Sequence, residues 1–372
     1  MSLISRQLSL AVARARALAA EPGLERRIAH HRRELHTAET VLFFSEPPSQ
    51  IYQLEVWLAP FERLAAAGHR VGIVVMNALT ATALLEKTTL PVFYSRNMEQ
   101  VEHRLRSAGT RAICYVNNAQ ANFTMLRFNG PRHIHLNHGE SEKSSMVSNQ
   151  LKAYDQVAVA GAAALERIGR GIARFDAGKL VPIGRPQLDA VTASPGRGRV
   201  RVLYAPTWEG DSKAMGYSSL LAHGEDILAG LCADERIDVR FRPHPKTGGS
   251  SAAMAKLIAS LRRKYAALLD PVDDAGQSLA DSDVVICDIS AMAYDALALN
   301  IPLLLAGTEE CELTKRLPAS QQLADCTDLA ERVLALAATG STVQGELARY
   351  FFATTAAGEA TELLRRLVCG EE

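Results

Sequence analysis

From Val41 onward, short runs of apolar residues alternate with amphipathic stretches. VLFF (41–44) precedes a helical pattern over Leu54–Ala67 closed by Gly68, and VGIVVM (71–76) precedes a second. PVFYS (91–95), a helix over Met98–Ser107, AICYV (112–116), a short helix and HIHLN (133–137) continue the series. QVAVA (156–160), a helix over Ala162–Ile168 and KLVPIG (179–184) complete it. Runs apolar on both faces suit strands covered by helices on each side, and their alternation with helices predicts right-handed crossovers in a parallel, doubly wound sheet.

Ser194-Pro195-Gly196-Arg197-Gly198 interrupts this rhythm and reads as a linker. The alternation then restarts with RVLYAP (201–206), a helix over Ser219–Cys232, DVRFRP (238–243), a helix over Ala252–Tyr265 and a short strand at Leu268–Asp270. It ends with the strand Val284–Cys287, an alanine-rich helix to Leu299 and the strand Leu303–Leu305. The predicted fold class is therefore α/β, with two Rossmann-like doubly wound domains facing across a cleft in a GT-B-like arrangement. The predicted divisions are a basic amphipathic segment at 1–36, an N-terminal domain at 37–193, a C-terminal domain at 200–342, and a helical region at 343–372 (helix over Val343–Leu367) that crosses back. Ligands of open α/β sheets sit beyond the carboxyl ends of the strands, which places the expected site in the cleft.

Composition narrows the function classes. A length of 372 residues suits two or three domains, and 41 Lys plus Arg against 41 Asp plus Glu removes the basic bias expected of a nucleic-acid binder. No apolar run approaches the roughly 18 residues of a membrane span, and no signal-peptide pattern opens the chain. The six cysteines are scattered without a CxxC pair and read as reduced and structural, so the expected location is cytoplasmic, at most at the inner membrane face. Residues 1–36 carry Arg6, Arg14, Arg16, Arg26, Arg27, Arg32 and Arg33 on a helical pattern. Such a helix either lies on an anionic membrane surface or packs on its own domain.

Polar clusters follow directly after the predicted strands. In SDVVICDISAMAYDALALNIPLLL (282–305), Ser290 occupies a helix N-cap position behind Asp288, so the amides of Ala291 and Met292 offer a phosphate seat. The plainer alternative is a structural cap. His138-Gly139-Glu140-Ser141-Glu142-Lys143-Ser144-Ser145 follows HIHLN, where His138 suits a general base or an ordinary loop histidine. Thr207, Trp208, Glu209 and Asp211 end another strand, with Trp208 either a lid or a substrate contact. Arg242, His244 and Lys246, stiffened by Pro243 and Pro245, suggest a pyrophosphate clamp, the alternative being a solvated basic turn. Gly184-Arg185-Pro186 forms a further turn. GxxxxGKS, GxGxxG, HExxH and GxSxG are absent, and Asp281-Ser282-Asp283 falls at the start of a strand, the wrong edge for a metal-nucleotide site. No cofactor and no protein-held metal are expected, with a loosely bound Mg on a diphosphate as the one open case.

The ordered set from about residue 130 to 306 resembles the CDP-glycerol glycerophosphotransferase family of teichoic-acid and capsule polymerases. The segments that carry the resemblance are His138 to Lys143, Gly184-Arg185-Pro186-Gln187-Leu188-Asp189, Tyr204 to Trp208, Arg242 to Pro245, and Asp288-Ile289-Ser290-Ala291 with Asp295. It implies that His138 is the general base, that His244 with Arg242 binds the donor diphosphate, and that Ser290 and the amides behind it hold phosphate. The N-terminal domain would then take the acceptor and the C-terminal domain the nucleotide donor. The implied reaction moves glycerol phosphate, or a related polyol phosphate, from a CDP-activated donor to a hydroxyl of a lipid-linked or polymeric acceptor of the cell envelope. Glu140-Ser141 replaces the family's usual Thr-Pro, and Ala291 replaces the second serine of its DYSS motif. Two rivals remain. A GT-B sugar transferase or epimerase would use Glu209 or Asp295 for ribose or sugar, and a non-catalytic member would bind without turnover.

Overall fold

The computed structural model describes residues 37–371, apart from 144–145, 193–197, 211–215, 217, 308 and 342, together with Gly23, Leu24 and Ile28. The expected basic helix at 1–36 and the linker at 194–198 thus fall almost wholly outside the described residues. Leu24 and Ile28 themselves are buried in the core around Leu42 and Trp57.

Seven strands form the first sheet: β1 (Thr40–Phe44), β2 (Val71–Val75), β3 (Val92–Tyr94), β4 (Ala112–Tyr115), β5 (Arg132–His135), β6 (Gln156–Val159) and β7 (Leu180–Pro182). They run parallel in the order β3-β2-β1-β4-β5-β6-β7. The second sheet, also parallel, comprises β8 (Val200–Ala205), β9 (Ile237–Phe241), β10 (Val284–Cys287) and β11 (Leu303–Leu305) in the order β11-β10-β8-β9. Strand order therefore reverses between β1 and β4 in one sheet and between β8 and β10 in the other. Helices shield both faces, which is why β1, β2, β4 and β10 are buried along their whole length.

Two expected elements differ. Leu268–Asp270 makes one isolated bridge, Phe241 to Leu269, after a 3-10 turn over Ala266–Leu268. Pro271 has no amide to continue the pairing, and the Asp270 carboxylate instead accepts from Val272 N at 3.2 Å. The helix expected over Val343–Leu367 is two helices, Gln344–Phe351 and Glu359–Cys369. Gly358, at φ +82°, precedes the second. Between them Ala353 N donates to Ala160 O at 2.7 Å, and the chain passes so close to the first sheet that a Cβ on Gly161 would meet Phe351 O at 2.6 Å. Helix Glu359–Cys369 then buries Leu364, Leu367 and Val368 against the first sheet's core, each apolar side chain contributing roughly 1.5–3 kcal/mol. Arg132 of β5 caps it, donating to Leu367 O and Val368 O at 2.9 Å. Among the described residues no helix is long and apolar enough to cross a membrane.

Candidate active site

The turn after β5 is locked before it reaches the cleft. Asn137 adopts φ 58°, its carbonyl accepts from Trp57 Nε1 at 2.5 Å, and its side chain bridges His138 N (2.9 Å) and Gly139 O (3.1 Å). This geometry presents His138, whose Nδ1 lies 3.0 Å from Val116 O just past β4. A carbonyl can only accept, so Nδ1 carries the proton and Nε2 keeps its lone pair. Burial pushes the His138 pKa down to about 4, helped by the charges of Lys246 and Arg185, so the ring is neutral at neutral pH.

The loop that follows binds both halves. Glu140 pairs with Arg167 at 2.5 Å within the first half, where burial raises the Glu140 pKa against the pull of that guanidinium. Ser141 is buried. Glu142 reaches the second half, accepting from Tyr294 Oη (2.8 Å), Glu312 N (3.1 Å) and Leu313 N (2.9 Å). Lys143 donates to Thr207 Oγ1 at 3.0 Å, and burial lowers its pKa to about 8. Ser144 and Ser145 lie outside the described residues, as does Asp211.

From the second half, His244 stands past β9. Its Nδ1 is 3.1 Å from Lys246 N, which can only donate, so the neutral ring carries its proton on Nε2. Burial, with the nearby Lys143 and Lys246 charges, lowers its pKa to about 3. Trp208 stacks on it at 6.2 Å, and Lys246 Nζ sits 4.8 Å over the indole. Tyr52, at the start of helix Tyr52–Ala66, stands edge-on to both histidines, 6.0 Å from His138 and 5.7 Å from His244. One imidazole acceptor and one imidazole donor thus flank the same tyrosine.

At the end of β10, Asp288 is fully buried and accepts from Thr207 N (2.7 Å) and Ser219 N (3.0 Å), with burial raising its pKa to about 6. Asp288, expected among the donor-site residues, thus holds the strand-end loops through these backbone bonds. Ser290 caps nothing with its side chain, and its hydroxyl is buried without a partner among the described residues. The amides of Ala291 and Met292 open helix Ala291–Ala298 beside it. This is the chemistry a phosphate oxygen would complete.

Three further expected ligands are occupied. Arg242, expected at the donor diphosphate, is held by Asp270 (2.7 Å), Ser278 Oγ (3.0 Å), Asp273 O (2.7 Å) and Val272 O, because Asp270 is buried and needs a counter-charge. Asp295 forms a bidentate pair with Arg185 at 2.7 and 2.9 Å. Glu209 accepts from Gly248 N, Ser250 N and Ser251 N, which holds its carboxyl below the usual range against the opposing pull of burial. Sequence reasoning missed Tyr52, Arg167 and Tyr294. Their only signal was position, since an aromatic at a helix start and an arginine on a helix face read as ordinary packing. Among the described residues no cluster of three or more His, Cys, Asp or Glu side chains is placed to hold a metal ion.

Solved structures share this architecture. The wall teichoic acid polymerase TagF superposes with a TM-score of 0.57 at 14% identity, covering 100% of this chain and 98% of that one. A UDP-GlcNAc 2-epimerase from Methanocaldococcus jannaschii does so with a TM-score of 0.53 at 11% identity, covering 89% and 99%. No curated protein matches the chain in sequence. The model of one family, described as CDP-Glycerol:Poly(glycerophosphate) glycerophosphotransferase, matches residues 92–312. That span holds both histidines and the β10 strand end and exceeds half the chain, so the protein belongs to this glycerophosphotransferase family.

Proposed function

We propose that the protein transfers glycerol phosphate, or a related polyol phosphate, from a CDP-activated donor to a hydroxyl of a cell-surface polymer or lipid-linked acceptor, releasing CMP. The observation that carries this reading is the opposite tautomer preference of the two histidines across Tyr52. His138 Nε2 accepts the proton of the attacking hydroxyl, a new bond forms between that oxygen and the β-phosphorus, and the bond from the β-phosphorus to the bridging oxygen breaks. The electron pair leaves with CMP, whose developing charge faces His244 Nε2–H, Lys246 and the Ser290 helix start. Transfer of this kind needs positioning and charge neutralisation rather than a covalent nucleophile. Family membership supports the donor class.

The test is to incubate the protein with CDP-glycerol, CDP-ribitol or a UDP-sugar and a glycerol-phosphate acceptor, and to follow nucleotide release. CMP release that falls at least about a hundredfold in His138→Ala, with donor binding retained, is the expected result. UDP release, or turnover unchanged in the variant, would overturn it. Leu24 and Ile28 pack in the first sheet's core, so a membrane contact is proposed only for the arginine-bearing residues that precede them. Deleting residues 1–22 should abolish low-salt sedimentation with anionic vesicles, and unchanged sedimentation rejects the contact.

A further inference from the structure

Behind the Asn137–Glu140 turn lies a cavity of about 50 Å³ that the transfer reaction above does not use. Its polar lining includes His135, Arg167, Gln187 and Glu140. Both ring nitrogens of His135, Nε and Nη1 of Arg167, and both amide atoms of Gln187 are buried with no hydrogen-bond partner among the described residues. His135 is 3% exposed, and its ring lies 4.9 Å from that of Tyr154. Buried polar atoms without partners are rare, and six on three residues that line one cavity point to a ligand that supplies them.

We infer that this cavity is a subsite for a small, uncharged, hydroxyl-bearing group, the polyol end of the acceptor. Its place in the reaction rests on the transferase reading, whereas the binding itself does not. Charge argues against an anion: Arg167 is neutralised by Glu140, and Arg185 at the rim by Asp295. Burial lowers the His135 pKa to about 3 and keeps that ring neutral. The open atoms are of both senses. Arg167 and the Gln187 amide nitrogen donate, the Gln187 carbonyl accepts, and neutral His135 does one of each. A hydroxyl donates and accepts and so satisfies such a set, whereas a phosphate would leave the acceptors facing oxygen. At roughly 10–15 Å³ per water-sized group, the volume takes about three to five such groups, enough for the terminal diol of a polyol. The same turn that walls the cavity presents His138, so a group seated there belongs to the molecule whose next hydroxyl meets the base.

The experiment measures glycerol binding to the full chain by saturation-transfer NMR, with inorganic phosphate as competitor, in wild type, Gln187→Met and His135→Phe. The phenylalanine keeps a ring on Tyr154, and the two variants lie on different elements, so one failing to fold leaves the other. Glycerol should bind wild type, resist phosphate, and bind either folded variant roughly tenfold more weakly, as expected for the loss of one or two hydrogen bonds. Equal binding in variant and wild type, displacement by phosphate, or no glycerol signal with wild type would overturn the subsite. CMP release from CDP-glycerol is scored separately: its absence rejects the transferase reading and leaves the glycerol result to decide the cavity.

Discussion

Gly139 packs against Ala291 so closely that a Cβ at position 139 would lie 3.0 Å from the Ala291 methyl. The turn that presents the base therefore rests directly on the helix start expected to hold phosphate. Gly139→Ala must push these two elements apart by a few tenths of an ångström. Because reaction rates fall steeply with misplacement, turnover should drop about tenfold while the melting temperature barely moves. Unchanged turnover would show that the contact relaxes without moving His138.

The pH profile should differ from that of a solvated histidine base. His138 must be neutral to act, and its pKa of about 4 means that kcat/KM rises as pH increases through 4. Lys143 ties the two halves through Thr207 and adds its charge beside His244, and its pKa of about 8 means that this charge, and the activity that depends on it, is lost as pH rises through 8. Between these limbs Asp288 titrates at about 6, so a shallow step there is expected as its carboxylate protonates and loosens the strand-end loops. A full acid limb near the ordinary histidine value of about 6.5 that persists in Asp288→Asn would place the base in water.

Arg242 is expected to act through stability. It is the nearer counter-charge of Asp270, whose side chain is 1% exposed, with Arg240 the farther one at 3.9 Å. Removing the nearer member of a largely buried pair leaves the carboxylate with only the long contact, so Arg242→Ala should cost about 2–3 kcal/mol in denaturant unfolding and leave donor KM near the wild-type value. A raised donor KM with unchanged stability would return Arg242 to the diphosphate.

This contrast marks what the chain discloses on its own. Both sheets were legible because strands buried on two faces must be apolar along their length, as VLFF and VVIC are. The strand-end histidines were legible because a doubly wound sheet gathers its ligands there. Partner choice was not. Whether Arg242 faces a diphosphate or Asp270, and whether Glu209 meets a ribose or the amides of Gly248 and Ser250, depends on backbone positions that are 28 to 41 residues apart and fixed only by folding. The break between Phe352 and Gly358 was hidden for a similar reason. Its cause is the close approach of this segment to Gly161 and Gly184, distant in sequence.

Tyr52 gives the most direct test of whether the two histidines work as a unit. It touches both rings edge-on, and aromatic contacts of this kind contribute about 0.5–1.5 kcal/mol each beyond burial. Among the described residues its hydroxyl makes only a long contact, accepting from Gln53 Nε2 at 3.4 Å. The ring should therefore matter and the hydroxyl should not. Tyr52→Phe should keep kcat, whereas Tyr52→Leu should lower it roughly tenfold or more as both imidazoles lose a fixed wall, with donor KM little changed. In the background of His138→Ala, where one of the two contacts is already gone, Tyr52→Leu should cost less than it does alone. Equal costs in the two backgrounds would mean that Tyr52 serves His244 only, and a Tyr52→Phe as damaged as Tyr52→Leu would shift its role from the ring to the hydroxyl.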